Sequence, residues 1–195
     1  MADTPKVRAA TTSELERAIA TITCAFAADP FTRWVWPDAA DFLGHFPLVL
    51  REFGVHAAAN ESVYVTEDFG GAALWIPPGV HPNEPALVAI IERSVRGARK
   101  DEFLEVFGLM GSYHPEDPHW YLPMIGVDPS RQNQGNGGAI LQHALARCDR
   151  EGLPAYLESS NPMNITLYQR HGFEIMGEIR VADSPLMTPM LRPPR

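Results

Sequence analysis

The sequence predicts an α+β fold in which helices cover both faces of a mixed, partly antiparallel sheet. Short runs rich in β-branched and aromatic residues alternate with longer runs whose apolar residues recur every three or four positions. The 195 residues are 45% hydrophobic and 21% charged, which supplies enough apolar material for one sizeable core. No Ser/Gly-rich linker or change of composition divides the chain, so we expect one domain over residues 1–195.

The first part of the chain predicts two helices joined by an aromatic connection. Lys6–Ala10 is a short extended candidate, and Thr11–Glu14 supplies capping residues for a helix that ends near Asp29-Pro30. The second helix carries apolar residues at helical spacing: Phe42, Phe46, Val49, Leu50 and Phe53. The connection carries the aromatic residues Phe31, Trp34 and Trp36. Their presence is equally compatible with helix packing and with the wall of a substrate pocket.

The middle of the chain predicts a β-hairpin, two helices and an irregular strand. The hairpin pairs Ser62–Thr66 with Gly71–Ile76. Helical spacing then extends from Pro85 to about Met110 with a break near Gly97–Lys100. We expect the next strand, Trp120–Val127, to bulge or splay, because Pro123 has no N–H to donate and Gly126 packs no side chain.

The last part of the chain predicts a helix that ends at Gly152, a strand at Ala155–Ser159, and a short helix that follows Asn161-Pro162. Two closing strands are expected at Phe173–Val181 and Leu186–Leu191.

Charge and composition exclude several classes of function. Sixteen Lys and Arg against 24 Asp and Glu give a net charge of −8, whereas nucleic-acid binding needs a positive footprint. No apolar run reaches the roughly 18 residues of a membrane helix, and the N-terminus is unlike a signal peptide. We therefore expect a cytoplasmic protein without nucleic-acid or membrane partners. Cys24 and Cys148 are expected to be small buried residues, since they match no redox or metal spacing.

A Gly-rich loop after Val127 is the segment most informative about the ligand of this protein. Residues 128–138 follow a strand, precede a helix, and would leave backbone N–H groups directed at an anion. A P-loop is excluded because Gly137-Gly138-Ala139 stands where Gly-Lys-Ser/Thr is required. The dinucleotide motif fits poorly, since Ile140 replaces its third glycine. The loop therefore predicts a phosphorylated ligand of another kind.

The segment Gln132–Gly137 fits the motif Gln/Arg-x-x-Gly-x-Gly/Ala. It follows Val127-x-Pro129 and precedes Leu157–Asn161 and Asn164-x-x-Leu167-Tyr168-x-x-x-Gly172-Phe173. In this order and spacing the segments resemble the GNAT N-acetyltransferase superfamily, specifically over Trp120–Ile179. The segments Ala25-Phe26-x-x-Asp29-Pro30 and Leu74-Trp75-x-x-Pro78, followed by Phe173, are similar to the puromycin acetyltransferase-like branch of that superfamily. This chain departs from the common family pattern with Asn at positions 133 and 136.

The resemblance implies a GNAT fold with a largely antiparallel sheet, acetyl-CoA as co-substrate, and no metal. It implies that the backbone of the splayed strand binds pantetheine, that the loop binds pyrophosphate, and that Asn164 also contacts the pantetheine. Tyr168 would protonate the leaving thiolate, although helical spacing alone also fits a core aromatic residue. The implied cofactor-binding residues are Met124, Ile125, Val127, Gln132, Asn133, Gln134, Gly135, Asn136, Gly137, Gly138, Asn164 and Tyr168.

The residue that accepts the amine proton stays open at this level. His119 and Glu158 are candidates at strand ends, followed by Asp29 and Glu67, and a water chain is a further alternative. No HExxH or GxSxG motif supports a metalloenzyme or a serine hydrolase. The acceptor pocket is expected to include Asp29, Phe31, Trp34 and Trp36.

The sequence thus predicts an acetyl-CoA-dependent N-acetyltransferase that acts on a small-molecule amine by direct attack in a ternary complex. A non-catalytic acyl-CoA-binding module and a peptide or protein N-acetyltransferase are the alternatives. We expect a monomer or a homodimer.

Overall fold

The computed structural model describes residues 4–195, which form a seven-stranded sheet with helices on both faces. The strands are β1 (Val7–Ala9), β2 (Val63–Thr66), β3 (Gly71–Ile76), β4 (Trp120–Val127), β5 (Ala155–Ser159), β6 (Glu174–Ile175) and β7 (Thr188–Arg192). The α-helices are α1 (Leu15–Ala25), α2 (Pro30–Val35), α3 (Ala39–Ala59), α4 (Glu84–Ser94), α5 (Ala98–Tyr113), α6 (Asn136–Glu151) and α7 (Ile165–Arg170). The predicted fold class is confirmed.

The strand order is β1-β2-β3-β4-β5-β7-β6, and β4–β5 is the parallel pair in an otherwise antiparallel sheet. Alternate residues of the hairpin point to opposite faces, as a strand requires. Val63 and Val65 pack in the cluster that includes α1 and α3. Tyr64 and Trp75 pack in the cluster that includes α6. Two cores therefore lie on the two faces of one sheet.

Local capping explains where several helices begin. The Glu14 carboxylate accepts a hydrogen bond from the Thr11 backbone N–H at 2.8 Å, just before α1. Asp38 accepts from the N–H groups of Ala40 and Asp41 at 2.7 and 3.3 Å at the start of α3. Gly152, in the left-handed conformation, ends α6 as predicted. None of the helices in residues 4–195 is long and apolar enough to cross a membrane.

The predicted irregularity of β4 is confirmed. The ladder between β3 and β4 shifts register between Leu74 and Ile76, where Leu122 and Pro123 lie opposite Trp75. The missing N–H of Pro123 explains the site of this bulge. Gly126 has a different role, because a Cβ there would lie 2.6 Å from the Cβ of Ala25 and 3.3 Å from the Cα of Ile22. Glycine at this position lets α1 lie directly against β4.

Three sequence predictions need correction. The aromatic connection contains a helix, α2, because Asp29 caps it and Pro30 occupies its first position. The strand predicted at Phe173–Val181 is reduced to β6 and a bridge between Ile179 and Met187, since Pro189 accepts from Met176 but has no N–H to return. Cys24 is exposed rather than buried, whereas Cys148 is buried.

We expect the substitution Gly126→Ala to lower the free energy of unfolding by about 1–3 kcal/mol, the usual cost of an overpacked contact. Chemical denaturation would measure it. Gly108→Ala is the matched control, because a Cβ at Gly108 meets no atom within 4 Å. The double variant Ala25→Gly/Gly126→Ala should recover part of the loss, and equal stability of Gly126→Ala and the original protein would contradict the packing argument.

Candidate active site

A cavity of about 860 Å³ opens where β4 and β5 separate. The two strands pair only through Trp120 with Ala155 and Tyr121 with Tyr156. Beyond Tyr121 the strands diverge, and residues of both line the cavity, among them Met124 and Glu158. The bulge and the short parallel pairing thus create the space in which the predicted site residues lie.

The second half of β4 presents one backbone edge to this cavity. Its other edge pairs with β3, where Met124 lies opposite Leu74 and Ile125 opposite Ala73. Val127, the last residue of the strand, also lines the cavity. Within residues 4–195 no strand pairs with the second edge beyond Tyr121. An extended amide chain can therefore hydrogen-bond to this edge, as a neighbouring strand would.

The Gly-rich loop lies at the carboxyl end of β4 and leads directly into α6. Asp128 holds its beginning, since its carboxylate accepts from the N–H and the hydroxyl of Ser130 at 2.8 and 2.7 Å. Asn133 and Gly135 have positive φ values of 60° and 85°. Ala139 is the residue whose N–H bonds back to Gly135, at 2.9 Å, so the N–H groups of the preceding first turn have no helical acceptor.

The structure brings most of the predicted loop residues to the cavity, and one of them does not line it. The cavity is lined by Gln132, Asn133, Gly135, Asn136, Gly137 and Gly138. Gln134 is exposed, and its side-chain amide donates to the carbonyl of Ser130 at 3.3 Å. This contact along the loop turns the side chain of Gln134 away, so the structure does not bring it together with the other predicted loop residues.

Tyr168 lies on α7 with Asn164 one turn before it, and both line the cavity. The ring of Tyr168 is 5% exposed and packs edge-on against Phe173 at 6.0 Å. Burial raises the pKa of the Tyr168 phenol well above its usual value, and the nearby charge of Asp29 raises it further. The phenol is therefore neutral at physiological pH and has a proton to donate.

Asp29 links α2 to the segment that follows β5. Its carboxylate accepts from the Thr32 N–H at 2.9 Å, from the Thr32 hydroxyl at 3.2 Å and from the Ser160 hydroxyl at 2.6 Å. Burial raises the pKa of Asp29, and these hydrogen bonds oppose the rise. About three of its roughly four acceptor positions are thus used within the protein.

Glu158 is the second carboxylate that lines the cavity. Burial raises the pKa of Glu158 to about 7, although the nearby hydroxyls of Tyr121 and Tyr156 lower it in part. Glu67 and His119, the other two side chains that the sequence suggests as the group accepting the amine proton, do not line the cavity. Glu158 can therefore gain and lose a proton near neutral pH inside the site.

Two histidines lie behind these tyrosines. His119 contacts His114 through their Nε2 atoms at 3.0 Å. The ring of His114 packs edge-on against Tyr121 and Tyr156, with centroid distances of 4.9 Å to each. Burial, with the nearby charges of His119 and His81, lowers the pKa of His114 to about 4. The side chains of Tyr121, Tyr156 and His114 therefore form a continuous series of contacts from Glu158 to His119.

The predicted acceptor wall is only partly present. Phe31 and Trp36 line the cavity, and the indole N–H of Trp36 donates to the hydroxyl of Ser94 on α4 at 3.0 Å. Trp34, another residue of the predicted wall, does not line it. Its indole N–H donates to Asp183 at 3.0 Å, and the guanidinium of Arg99 lies 4.5 Å from its ring centre. These contacts hold Trp34 on the other side of α2.

Sequence reasoning missed the contribution of α4 and α5 to the cavity. Their apolar side chains cover it on the side opposite the loop, among them Leu87, Ile91, Phe103, Phe107 and Met110. The signal was present in α5, where several large apolar residues recur although Val106 is its one buried residue. Such half-buried aromatic residues are typical of a pocket wall rather than of a filled core.

Residues 82–173 match the model of the acetyltransferase (GNAT) family, a range that includes β4, the Gly-rich loop, β5 and α7. A Schizosaccharomyces pombe protein described as an uncharacterized N-acetyltransferase is 30% identical over 118 residues, which are 54% of this chain and 48% of that protein. The chain thus spans about half the length of this curated relative.

Solved structures share the whole fold. A Corynebacterium glutamicum protein described as histone acetyltransferase HPA2 and related acetyltransferase is 26% identical, with a TM-score of 0.71 over 99% of this chain and 98% of that one. A polyamine N-acetyltransferase of Drosophila melanogaster is 16% identical, with a TM-score of 0.68 over 96% and 99%. Arylalkylamine N-acetyltransferase 2 of Aedes aegypti is 12% identical, with a TM-score of 0.71 over 99% and 100%.

Proposed function

We propose that this protein transfers an acetyl group from acetyl-CoA to an amine of a small molecule. The match to the GNAT acetyltransferase family model and the similarity to a curated N-acetyltransferase support this proposal. One observation carries the proposal. A single cavity contains the open edge of β4, the Gly-rich loop, Tyr168 and Glu158. The fold is shared with proteins named for polyamine and arylalkylamine acetylation, so a small amine is compatible with it.

The residues present fit coenzyme A. Gly135, Gly137 and Gly138 place no side chain between a pyrophosphate and the N–H groups at the start of α6. The open edge of β4 at Met124, Ile125 and Val127 suits the two amides of a pantetheine arm, and Asn164 faces the same space. Acetyl-CoA would supply an activated acetyl group as its thioester.

Three groups of this chain would then assist transfer. A backbone N–H of the open β4 edge donates to the acetyl carbonyl oxygen, and such a preorganised donor is worth ~10²–10³ in rate. The amine nitrogen forms a bond to the acetyl carbon while the carbon–sulfur bond breaks. Tyr168, held neutral by burial, donates its proton to the departing sulfur.

Among the four candidates for the base, we assign the role to Glu158. It lines the cavity, and its pKa of about 7 lets it accept the amine proton at neutral pH. Asp29 is already engaged with Thr32 and Ser160, so we assign it the task of positioning α2. His119 and Glu67 lie outside the cavity lining.

Several expectations from the sequence belong to this proposal as well. We propose that residues 1–195 form one acetyltransferase domain, and that no metal takes part. The likeness to the puromycin acetyltransferase-like branch, the cytoplasmic location and the monomeric or homodimeric state stay predictions. Release of free thiol from acetyl-CoA in the presence of amines tests the function. Binding of acetyl-CoA without release would favour the acyl-CoA-binding module, and release with peptides alone would favour a peptide acetyltransferase.

The first prediction that follows from the proposed function concerns the Gly-rich loop. Gly135→Val should weaken coenzyme A binding at least about tenfold, since a β-branched residue resists the left-handed conformation that directs the loop N–H groups. Titration calorimetry would measure the Kd. Gly79→Val is the matched control, because Gly79 also has a positive φ of 75° but does not line the cavity. Equal Kd values for Gly135→Val and the original protein would refute the loop assignment.

The second prediction concerns Tyr168. Tyr168→Phe should lower kcat by roughly 10²-fold, because the departing sulfur loses its proton donor, with little change in the Kd for acetyl-CoA. Thiol release and calorimetry separate the two quantities. Tyr64→Phe provides a control at a buried tyrosine that does not line the cavity. An unchanged kcat in Tyr168→Phe would remove the acid role.

The third prediction concerns pH. The carboxyl of Glu158 must be deprotonated to accept a proton, so kcat/KM should rise with pH up to a pKa of about 7 and then level off. In Glu158→Gln this rise should disappear and the plateau should fall by roughly 10²-fold. Glu67→Gln should keep both features. Survival of the rise in Glu158→Gln would assign the base to another group.

A further inference from the structure

The part of the cavity formed by helices α2 to α5, which we call the acceptor chamber, is lined by apolar side chains except for Thr32, whose hydroxyl bonds to Phe26 and Asp29. Its lining includes Met110 and five phenylalanines from three helices, namely Phe31, Phe46, Phe53, Phe103 and Phe107. Phe31 and Phe103 lie 6.1 Å apart between ring centres, and Phe103 and Phe107 lie 6.3 Å apart. The chamber thus presents connected aromatic faces to any acceptor.

The charged side chains of the cavity lie outside the acceptor chamber. Among the described residues that line the cavity, the charged side chains are Asp29, Glu158 and Arg170. Arg170 lies on α7, the helix of Tyr168, and helices α2 to α5 contribute no charged side chain to the lining. Asp29 precedes α2 and is engaged by Thr32 and Ser160. Glu158 is therefore the carboxylate available to one ammonium group.

We infer that the acceptor is a primary arylalkylamine, with one amino group at Glu158 and an aromatic body in the acceptor chamber. This inference rests on the proposed acetyl transfer and names its substrate class. A polyamine of similar length would place a second ammonium among the phenylalanines, without a counter-charge or a hydrogen-bond partner. Such a group is costly to remove from water. The same cost applies to an aminoglycoside, which carries several ammonium and hydroxyl groups.

The test compares amines that differ in one feature, using the full chain with acetyl-CoA and thiol release as the readout. Hexylamine and 1,6-diaminohexane have the same length and differ in the second ammonium. We expect kcat/KM for the diamine to be roughly 10- to 100-fold lower. We expect kcat/KM for 2-phenylethylamine and tryptamine to exceed the value for hexylamine, and kcat/KM for spermidine and kanamycin to be the lowest.

A pair of variants on α5 links the preference to the chamber. Phe107→Glu places a carboxylate in the lining and should raise kcat/KM for 1,6-diaminohexane relative to hexylamine at least about fivefold. Leu109→Glu is the matched control on the same helix, since Leu109 is exposed and does not line the cavity. It should leave the ratio unchanged.

The outcomes separate this inference from the proposed function. In the original protein, a kcat/KM for the diamine, spermidine or kanamycin that equals or exceeds the value for hexylamine would overturn the arylalkylamine inference. Acetyl transfer to amines would still stand. A ratio that changes equally in Phe107→Glu and Leu109→Glu would also contradict the role of the chamber. No thiol release with any amine, although calorimetry detects acetyl-CoA binding, would overturn the proposed function and this inference with it.

Discussion

The divergence of β4 from β5 after Tyr121 is the constraint on which the rest of the structure depends. A parallel pair that ends after two registered positions leaves one edge of β4 unpaired, and unpaired backbone groups must find other partners. The bulge opposite Trp75, at Pro123, lies where this separation begins. Gly126 then lets α1 support β4 from one face. The opening is thus fixed by backbone geometry and not by a mobile loop.

Burial shifts the pKa of the three acidic groups that line this opening in one direction. It raises the pKa of Tyr168, Asp29 and Glu158, because a low-dielectric surrounding disfavours the charged form of each. The consequences differ with the partners of each group. Tyr168 remains a neutral donor, Asp29 keeps hydrogen bonds that oppose the rise, and Glu158 reaches the neutral range. The same physical effect therefore separates a proton donor, a structural carboxylate and a titrating carboxylate within one cavity.

Local signals in the sequence were sufficient for most elements. Capping at Thr11–Glu14, the hairpin at residues 62–76 and the stop at Gly152 depend on nearby residues, and the structure confirms them. Non-local features were missed. The aromatic segment at residues 31–36 gave no way to tell which ring faces the cavity, since Trp34 turns toward Asp183, 149 positions away. The strand expected at 173–181 is cut short because Pro189, on the paired strand β7, has no N–H to complete the ladder.

The sequence by itself determined the fold class, the order of most elements and the Gly-rich loop with its neighbouring helix start, because periodicity, capping and turn chemistry act over a few residues. Tertiary structure alone decided that Glu158 rather than Glu67 or His119 lines the cavity, that Gln134 turns away, and that α4 and α5 form an apolar wall. These outcomes depend on which distant elements the sheet brings together. Burial and its effect on pKa arise only from that assembly.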